Sequence, residues 1–413
     1  MPFSLLKYGL SADYPVEVDL PPPKELKSSY DVVIIGGGGH GLATAYYLAK
    51  YHGITNVAVL EKAYLGGGNT ARNTAVIRSN YLTSEGVKFY IESVRLFKEL
   101  SNEFDINIMY SERGQLTLAH TDATVRAFRQ RAEVNKHFGG RTELIDRQQI
   151  RELVPCLNLD PGHLPVLAGL WHMDGGTARH DAVAWGYAKQ AAKRGVEIHQ
   201  LTEVQDFVVE NNRIAAIKTN RGTVRCGCAV QAVAGTSSLL MNKLGIRAPL
   251  HTYPLQAMVT QPFKPFLDPL VSSSALHCYV QQTSRGEIVF GGGSDPYPLY
   301  HTRSTLDLKE SLLAHAIEMF PFMANAKLMR QWAGMTDMTP DYSPLMGLSP
   351  IDGYYLDAGW GTWGFKATPI CGKTMAELVA SGGRVPELIA PFGLDRFSRF
   401  QQVNEMGATA ASH

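Results

Sequence analysis

The chain has 413 residues, of which 45% are hydrophobic, and its formal net charge is +1. Because chains above roughly 250–300 residues usually form more than one core, we expect more than one domain. The 39 lysines and arginines nearly balance the 38 aspartates and glutamates, so neither a nucleic acid nor a membrane surface is an expected partner.

The cysteines and the N-terminus point to the cytoplasm. The five cysteines are an odd number and are scattered, which argues against a disulfide framework and favours a reducing compartment. Cys226 and Cys228 have no second pair nearby, so no metal site is predicted. Residues 1–27 contain three consecutive prolines and lack a secretory signal, so we expect an extended arm. No stretch approaches the ~20 apolar residues of a membrane span.

A strand, a glycine turn, a helix and a second strand follow one another from about residue 30. The apolar run YDVVIIG ends in glycines, HGLATAYYLAKYHG has the pattern of a helix, and NVAVLE is a second apolar run. Strands that are joined through a helix pair in parallel, so this order predicts a nucleotide-binding βαβ unit. The glycine-rich KAYLGGGNTARNTAVIRSNY that follows is expected to be a loop.

Strands dominate a later part of the chain, where YPLQAMVTQ, LHCYVQQ and EIVFGGG predict a mostly antiparallel sheet. We therefore predict an α/β fold with a Rossmann-type domain, a parallel sheet with helices, and a separate substrate domain. The expected ranges are 1–27 for the arm, 28–110, 170–250 and 335–395 for the discontinuous nucleotide-binding domain, 111–169 and 251–334 for the substrate domain, and 396–413 for a C-terminal tail.

The glycine turn fits the G-x-G-x-x-G fingerprint of dinucleotide binding. Gly36 permits the tight turn, Gly38 lets the backbone approach a pyrophosphate, and Gly41 lets the helix pack closely on the strand. The phosphates then lie at the helix N-terminus. Glu61 ends the second strand and is placed to accept hydrogen bonds from ribose hydroxyls. FAD and NAD share this fingerprint, so these residues alone leave both open.

Four stretches together resemble the β subunits of heterotetrameric sarcosine oxidases, within the wider group of D-amino-acid-oxidase-like flavoenzymes. They are SYDVVIIGGGGHGLATAYYLAKYHGITNVAVLEK, GGGNTARNTAVIRSNY, GGTARHDAVAWGYA and GWGTWGFKATP, in the order that the family shows. The resemblance runs from about Ser28 to the C-terminus. It implies that the Rossmann-type domain binds FAD.

The resemblance implies that FAD is held without a covalent bond. Monomeric sarcosine oxidases tether FAD to a cysteine shortly before a Thr-Pro-Asp, and the matching position here is Gly334. Family FAD contacts match Gly39, His40, Glu61, Asn69, Thr74, Val76, Val204, Gly361, Gly364 and Lys366. The fingerprint adds Gly36, Gly38 and Gly41, and we also place Arg72 in the cofactor site.

A second flavin is also implied by the family. Its members carry FMN, attached through a histidine, at the border between the β and α subunits. The matching stretch TARHDAVAW places that histidine at His180. His172 is the alternative candidate for the attachment site, although its flanking residues match the motif less well. Arg179 is expected beside the same flavin, where it favours the anionic reduced form.

By this resemblance we expect oxidative demethylation of sarcosine to glycine. The family oxidises sarcosine at FAD, passes electrons to FMN and there reduces oxygen to hydrogen peroxide. The one-carbon unit goes to tetrahydrofolate on the α subunit. The expected partners are therefore a sarcosine-like small substrate and the α, γ and δ subunits of a heterotetramer.

Two cations are the predicted catalytic residues. A substrate carboxylate calls for a fixed cation beside the flavin, and the planar fork of arginine binds both oxygens. Arg78 in VIRSNY matches the family's carboxylate-binding arginine, with Arg72 as its competitor. Lys366 in GFKATP is predicted at a helix start, where a cation opposes the helix dipole, so a functional role is favoured over a solvated one.

Other interpretations stay open at this point. The chain is alternatively a stand-alone FAD-dependent amino-acid or amine oxidase or dehydrogenase, or a flavin-holding electron-transfer subunit. His40 contacts phosphate or ribose, or faces solvent. Trp360, Trp363 and Phe365 pack near the flavin ring or in the core. Sarcosine, dimethylglycine and proline differ by a few atoms, so pocket shape decides among them.

Overall fold

The computed structural model describes residues 10–11, 20, 25–162 and 164–405. Most of the expected N-terminal arm and the end of the expected tail therefore lie outside the described residues. The α-helices in the described part are α1 (Gly39–His52), α2 (Ser84–Phe104), α3 (Asp122–His137), α4 (Arg147–Leu153), α5 (His180–Ala192), α6 (Ser237–Lys243), α7 (Leu306–Met319) and α8 (Gly364–Ala380).

The strands of the same residues fall into three sheets. In chain order they are β1 (Ser29–Ile35), β2 (Val57–Leu60), β3 (Val76–Ile77), β4 (Ser111–Glu112), β5 (Gln115–Ala119), β6 (Thr142–Ile145), β7 (Ala168–His172), β8 (Gly176–Thr177), β9 (Glu197–His199), β10 (Val204–Glu210), β11 (Arg213–Thr219), β12 (Gly222–Gln231), β13 (His251–Pro262), β14 (Leu270–Ser273), β15 (Cys278–Gln282), β16 (Glu287–Ser294), β17 (Leu328–Met338), β18 (Leu345–Leu348) and β19 (Tyr354–Ala358).

The first sheet has a parallel centre in the order β19-β12-β1-β2-β9. The β10–β11 hairpin pairs with the start of β12, and β18 pairs antiparallel with β19. Val32 and Ile34 of β1 join an apolar core that includes α1 and α8, whereas Val33 and Ile35 join a core on the other face. Burial on both faces explains why β1 is a continuous apolar run, and the predicted βαβ unit is confirmed.

The second sheet has the order β17-β13-β16-β15-β14-β5-β7-β6. Its neighbours pair antiparallel except for β14 and β5, which are parallel. Helix α7 packs on it and contributes Leu312, Ala316 and Met319 to a separate apolar core. The predicted class, a Rossmann-type α/β domain with a mostly antiparallel second sheet, is confirmed.

Strand pairing moves the boundaries that composition suggested. The boundary expected at residue 170 cuts β7, which pairs with β5 and β6 in the second sheet. The boundary expected at 335 cuts β17, which pairs with β13 along its length. Residues 111–112, expected in the substrate domain, form β4, which belongs to a small third sheet. In that sheet β8 pairs with β3 on one side and with β4 on the other. Composition cannot show these edges because pairing partners are distant in the chain.

Two further segments are more ordered than the sequence suggested. The glycine-rich stretch expected to be a loop contains a 3₁₀ turn at Asn69–Arg72 and the short strand β3. The described part of the expected tail packs into the protein, because Arg396 forms a buried ion pair with Asp341 at 2.8 Å and Glu405 is buried. None of the described helices has the length and apolar composition to cross a membrane. Location in the cytoplasm stays a prediction.

Candidate active site

A cavity of about 510 Å³ is lined by residues from both large sheets. It brings together most of the residues predicted from the sequence. Those at its wall are Gly36, Gly38, Gly39, His40, Glu61, Asn69, Arg72, Thr74, Val76, Arg78, Val204, Gly361, Gly364 and Lys366. Gly41 and His180 are not part of the wall.

The glycine turn between β1 and α1 allows close approach of the backbone. Gly36 has a φ of +111°, and a Cβ there would lie 2.2 Å from the Ala232 carbonyl oxygen. A Cβ on Gly41 would lie 2.0 Å from the carbonyl oxygen of Gly36, so this glycine permits the packing of α1 rather than contact with the cavity. At Gly38 a Cβ would meet only the Thr70 hydroxyl, at 3.3 Å. The open face of the turn is therefore at Gly38, at the start of α1, where a helix N-terminus favours phosphate.

Glu61 lies at the end of β2 beside this turn. Its carboxylate accepts from the Gly37 and Ala63 backbone N–H groups, at 2.9 Å each. Two carboxylate oxygens offer about four acceptor positions, so capacity for ribose hydroxyls remains. Thr70, which the sequence interpretation missed, accepts from the Gly39 N–H at 3.0 Å. The open turn, the acid and the cavity beside them fit a dinucleotide such as FAD.

His40 is not turned toward solvent. Its Nδ1 lies 3.1 Å from an Asp357 carboxylate oxygen, and its Nε2 lies 2.7 Å from the Gly364 carbonyl oxygen. Burial lowers the pKa of His40, but the charge and hydrogen bond of Asp357 raise it more, so the net pKa is above the ordinary 6.5. The imidazole thereby joins the start of α1 to the start of α8.

Arg78 and Lys366 also line the cavity, and both are buried. Arg78 donates to the Asn80 side-chain oxygen at 2.9 Å and stacks on the Tyr81 ring at 4.4 Å. The Lys366 ammonium, in the first turn of α8, donates to the Thr362 carbonyl oxygen at 3.1 Å. Burial, and then the charge of Arg78, hold the pKa of Lys366 well below its usual value.

Neither cation has an acidic partner within the part of the chain that the structure describes. A buried charge without a partner is costly, so such a pair is expected where an anion binds. Arg72 differs, because its guanidinium donates to the backbone carbonyl oxygens of Gly67 and Gly68 within its own loop. The geometry thus favours Arg78 over Arg72 as the arginine for a substrate carboxylate.

The residues around Arg72 anchor the loop to the second sheet. The Asn69 side chain donates to the Met335 carbonyl oxygen, and the Trp332 indole donates to the Arg72 carbonyl oxygen at 2.7 Å. Gln281 donates to the Thr74 carbonyl oxygen at 2.5 Å. Gly334 lines the cavity beside Asn69, where a Cβ would lie 3.1 Å from its side-chain oxygen.

The three aromatic residues considered beside the flavin are placed differently. Trp360, Trp363 and Phe365 all contribute to the cavity wall. Trp360 and Trp363 are also buried in the core, and the Trp360 indole donates to Asp357. Both expectations, proximity to the cavity and core packing, therefore apply to these two tryptophans.

His180 and His172 have opposite surroundings. His172 is fully buried, with Nε2 accepting from the Ser79 N–H at 3.1 Å and Nδ1 lying 2.8 Å from the Thr142 hydroxyl. His180 begins α5 and is partly exposed, and no described residue hydrogen-bonds to its ring. Burial is the main cause that lowers the pKa of His180, which favours the neutral imidazole. Of these two histidines, His180 is the one whose ring has no hydrogen bond to a described residue.

Arg179 precedes His180 at the start of α5. It is exposed, and its guanidinium pairs with Asp181, with Nε donating at 2.9 Å. Side-chain hydrogen bonding to Asp181 raises the pKa of Arg179. A stable positive charge therefore stands next to the imidazole.

The second sheet adds polar residues that the sequence interpretation missed. They share a position on the cavity wall, and none carries a motif that would mark it. These residues are Gln115, Thr117, Gln256, Ser272 and Tyr279. Alternation along a strand shows which side is buried, but it does not show that this side faces a cavity.

The family model described as FAD dependent oxidoreductase, or DAO, matches residues 31–378. Because this match spans most of the chain, the chain belongs to the FAD-dependent oxidoreductase family. The class predicted from the sequence, a flavoenzyme of the group that includes amine-oxidising enzymes, is confirmed, and FAD is the cofactor of that family.

Relatives match along almost the full length. The chain is 43% identical over 389 residues to the sarcosine oxidase subunit beta of Rhodobacter capsulatus, with 94% of each chain covered. It is 45% identical over 384 residues to the protein of that name from Rhizobium meliloti, covering 93% of this chain and 92% of that protein. The solved L-proline dehydrogenase from P. horikoshii aligns with a TM-score of 0.85 at 31% identity, covering 91% of this chain and 99% of that one. The resemblance drawn from four motifs is thus confirmed.

Proposed function

We propose that this chain is the FAD-containing β subunit of a multi-subunit sarcosine oxidase and oxidises the N-methyl group of sarcosine. The observation that carries the proposal is the pair of buried cations in the cavity, Arg78 and Lys366, which have no acidic partner among the described residues. The names of the relatives support sarcosine as substrate, and the relative named L-proline dehydrogenase also points to a secondary amino acid.

FAD fits the cavity through three groups of residues. The open backbone at Gly38 and the start of α1 would hold the pyrophosphate, and Glu61 would hold the ribose. The wall from Asn69 to Val76 and the residues Gly361 to Lys366 would surround the rest. When bound, FAD supplies the acceptor for the hydride equivalent, while the protein supplies orientation and charge.

The two cations have distinct tasks in this proposal. Arg78 binds the substrate carboxylate with its planar fork, and Lys366 adds a second positive charge beside it. Both charges also disfavour a protonated ammonium in the cavity, so they favour the neutral amine, whose nitrogen lone pair the oxidation requires. The polar wall around Gln115 and Tyr279 would then select among amines by shape.

Arg78→Met tests the carboxylate site. We expect the bleaching of the flavin absorption by sarcosine under anaerobic conditions to slow by roughly 10–100-fold, the range for loss of a charged hydrogen bond. FAD content should remain unchanged because Arg78 is not part of the glycine turn or of the Glu61 contact. Arg72→Met is the matched control and should slow the reaction less; equal slowing by both variants would contradict the assignment.

We propose further that FMN is attached to His180 at a border with a partner subunit. The partly exposed, neutral imidazole without a hydrogen-bond partner in the described chain supports this, as does the neighbouring charge of Arg179. The α, γ and δ subunits, and tetrahydrofolate as the one-carbon acceptor on α, belong to the same proposal. Electron passage to that second flavin and peroxide formation there follow from the family resemblance.

Acid precipitation tests the second flavin. Flavin that remains with the pellet, on a peptide containing His180, is the expected result for protein purified with its partners. His180→Ala should lose this bound flavin and retain the FAD that acid releases. Flavin on a peptide containing His172, or no pellet-bound flavin in the wild-type complex, would contradict the proposal.

A further inference from the structure

Arg78 belongs to a short segment, residues 78–83, that joins β3 to α2. Its guanidinium donates to the Asn80 side chain at 2.9 Å and stacks on the Tyr81 ring at 4.4 Å. The direction in which Arg78 presents its N–H groups to the cavity therefore depends on where Asn80 and Tyr81 are held.

Helix α3 fastens this segment from outside the cavity. Arg131 donates from Nε to the Asn80 carbonyl oxygen at 2.6 Å, and its Nη2 donates to the same oxygen. Asn135 donates to the Tyr81 carbonyl oxygen at 2.9 Å. Arg131 is not part of the cavity wall, and hydrogen bonds connect it to Arg78 through Asn80.

The other end of the segment is held by the C-terminal part of the chain. The Glu405 carboxylate accepts from the Leu82 N–H at 2.8 Å and from the Thr83 N–H at 3.0 Å. Thr83 in turn caps α2 by accepting from the Gly86 N–H at 3.1 Å. These hydrogen bonds fix the backbone of residues 80–83, so we expect the segment to move only if one of the residues that hold it is changed.

Burying the charged guanidinium of Arg131 at this position costs free energy of folding. It is 2% exposed, and burial, followed by the charge of Arg78, lowers its pKa to about 9, although the carboxylate of Glu405 acts in the opposite direction. Well-packed apolar residues are often as stable as buried charges or more so, so stability alone is a poor reason for a second buried guanidinium here. A role at the cavity gives a reason for it.

We propose that Arg131 is a positioning residue for carboxylate recognition, because it clamps the Asn80 carbonyl group and thereby fixes the orientation of Arg78. This inference rests on the proposed role of Arg78. Arg131 itself touches neither the substrate nor the cofactor site. Its removal should therefore weaken binding of a carboxylate and leave the binding of an uncharged analogue and of FAD unchanged.

The test uses the full-length, FAD-loaded protein and two unreactive probes. Methoxyacetate has the carboxylate of sarcosine with an ether oxygen in place of the amine, and methoxyacetamide lacks the charge. Binding is followed through the change in flavin absorption. Arg131→Met should raise the Kd for methoxyacetate about tenfold, as expected for a weakened charged hydrogen bond. The Kd for methoxyacetamide should stay within about twofold.

Arg129→Met is the matched control, because Arg129 lies on the same helix and is exposed. It should change neither Kd. Arg131→Lys keeps the charge but cannot hold one oxygen with two N–H groups, so its Kd for methoxyacetate should lie between those of wild type and Arg131→Met. If Arg131→Met is not recovered folded, Arg131→Lys carries the test: a selective rise for methoxyacetate supports the inference, and no rise overturns it.

A double-mutant cycle with Arg78→Met separates the proposed role of Arg78 from the positioning role of Arg131. If Arg131 acts through Arg78, adding Arg131→Met to Arg78→Met should weaken methoxyacetate binding no further. Independent, additive losses would overturn the positioning role, as would equal losses for both probes. If Arg78→Met alone leaves methoxyacetate binding unchanged, the proposed function fails. If Arg78→Met weakens it and Arg131→Met does not, only the present inference fails.

Discussion

The cavity wall contains two groups of residues of different origin, which we call the nucleotide end and the substrate end. At the nucleotide end, the shape comes from the backbone of a few consecutive residues, Gly36 to Gly41, with Glu61 on the next strand. At the substrate end, Arg78 and Lys366 are brought together from distant parts of the chain. The nucleotide end is thus shaped mainly by local backbone geometry, whereas the substrate end depends on packing between the segment after β3 and the start of α8.

Gly41→Ala should have the largest effect, at the nucleotide end. The new methyl group would lie 2.0 Å from the Gly36 carbonyl oxygen, and neither backbone can yield without moving α1. We expect the free energy of unfolding of the FAD-free protein to fall by about 3 kcal/mol, the upper range for overpacking. Urea unfolding measures the loss, and flavin content should fall as well.

Gly38→Ala is the control that sharpens this prediction. Its methyl group would meet only the Thr70 hydroxyl at 3.3 Å and otherwise faces the cavity. The unfolding free energy of the FAD-free protein should stay within about 0.5 kcal/mol of wild type, while FAD binding weakens. Equal destabilisation by the two variants would break the distinction between a packing glycine and a ligand-facing one.

Lys366→Met probes the substrate end through pH. Burial and the charge of Arg78 lower the pKa of Lys366, so the ammonium is lost as pH rises through that lowered pKa and before the ordinary value of 10.5. Carboxylate affinity in the wild type should therefore fall over this window, on the order of tenfold. The methionine variant should bind methoxyacetate weakly at low pH and lack this fall. A variant that keeps the wild-type pH profile would contradict the role of Lys366.

His40→Gln has the smallest expected effect and tests the link between the two ends. Because Asp357 raises the pKa of His40 above 6.5 in spite of burial, the imidazolium adds stability that is fully present below pH 6.5. That stability is lost as pH rises through the raised pKa. The variant should be less stable by on the order of 1 kcal/mol at low pH, with a smaller difference at high pH.

Urea unfolding of both proteins across pH measures this difference. His52→Gln, an exposed change on the same helix, is the control and should follow the wild type. A His40→Gln deficit that stays constant across pH would show that the His40–Asp357 pair is not an ion pair.

The contrast between the ends also explains what could be predicted from the sequence. The order of strand, glycine turn and helix is a local pattern, and residue types and spacing are enough to predict it. Strand pairing joins residues that are distant in the chain, and local patterns do not show it. The expected domain boundaries therefore fall within β7 and β17. Packing also distinguishes the surroundings of two histidines in neighbouring stretches, because only the structure shows His172 bonded on both ring nitrogens.

Site residues that belong to no motif could not be predicted from the sequence. Gln115 and Tyr279 are ordinary strand residues until the cavity shows which way they face. Arg131 reads as one more basic residue on an amphipathic helix, and its contact with Asn80 joins residues 51 positions apart. Thr70 similarly reaches the Gly39 N–H only because the loop folds back over the start of α1.

The most direct measurement compares sarcosine with N-methylpropylamine, an amine of similar size without a carboxylate, in anaerobic mixing with the FAD-loaded chain. Our account predicts that sarcosine bleaches the flavin absorption at least about tenfold faster, because two buried cations hold its carboxylate. The advantage should disappear in Arg78→Met. Equal rates for the two amines in the wild-type protein would contradict the account.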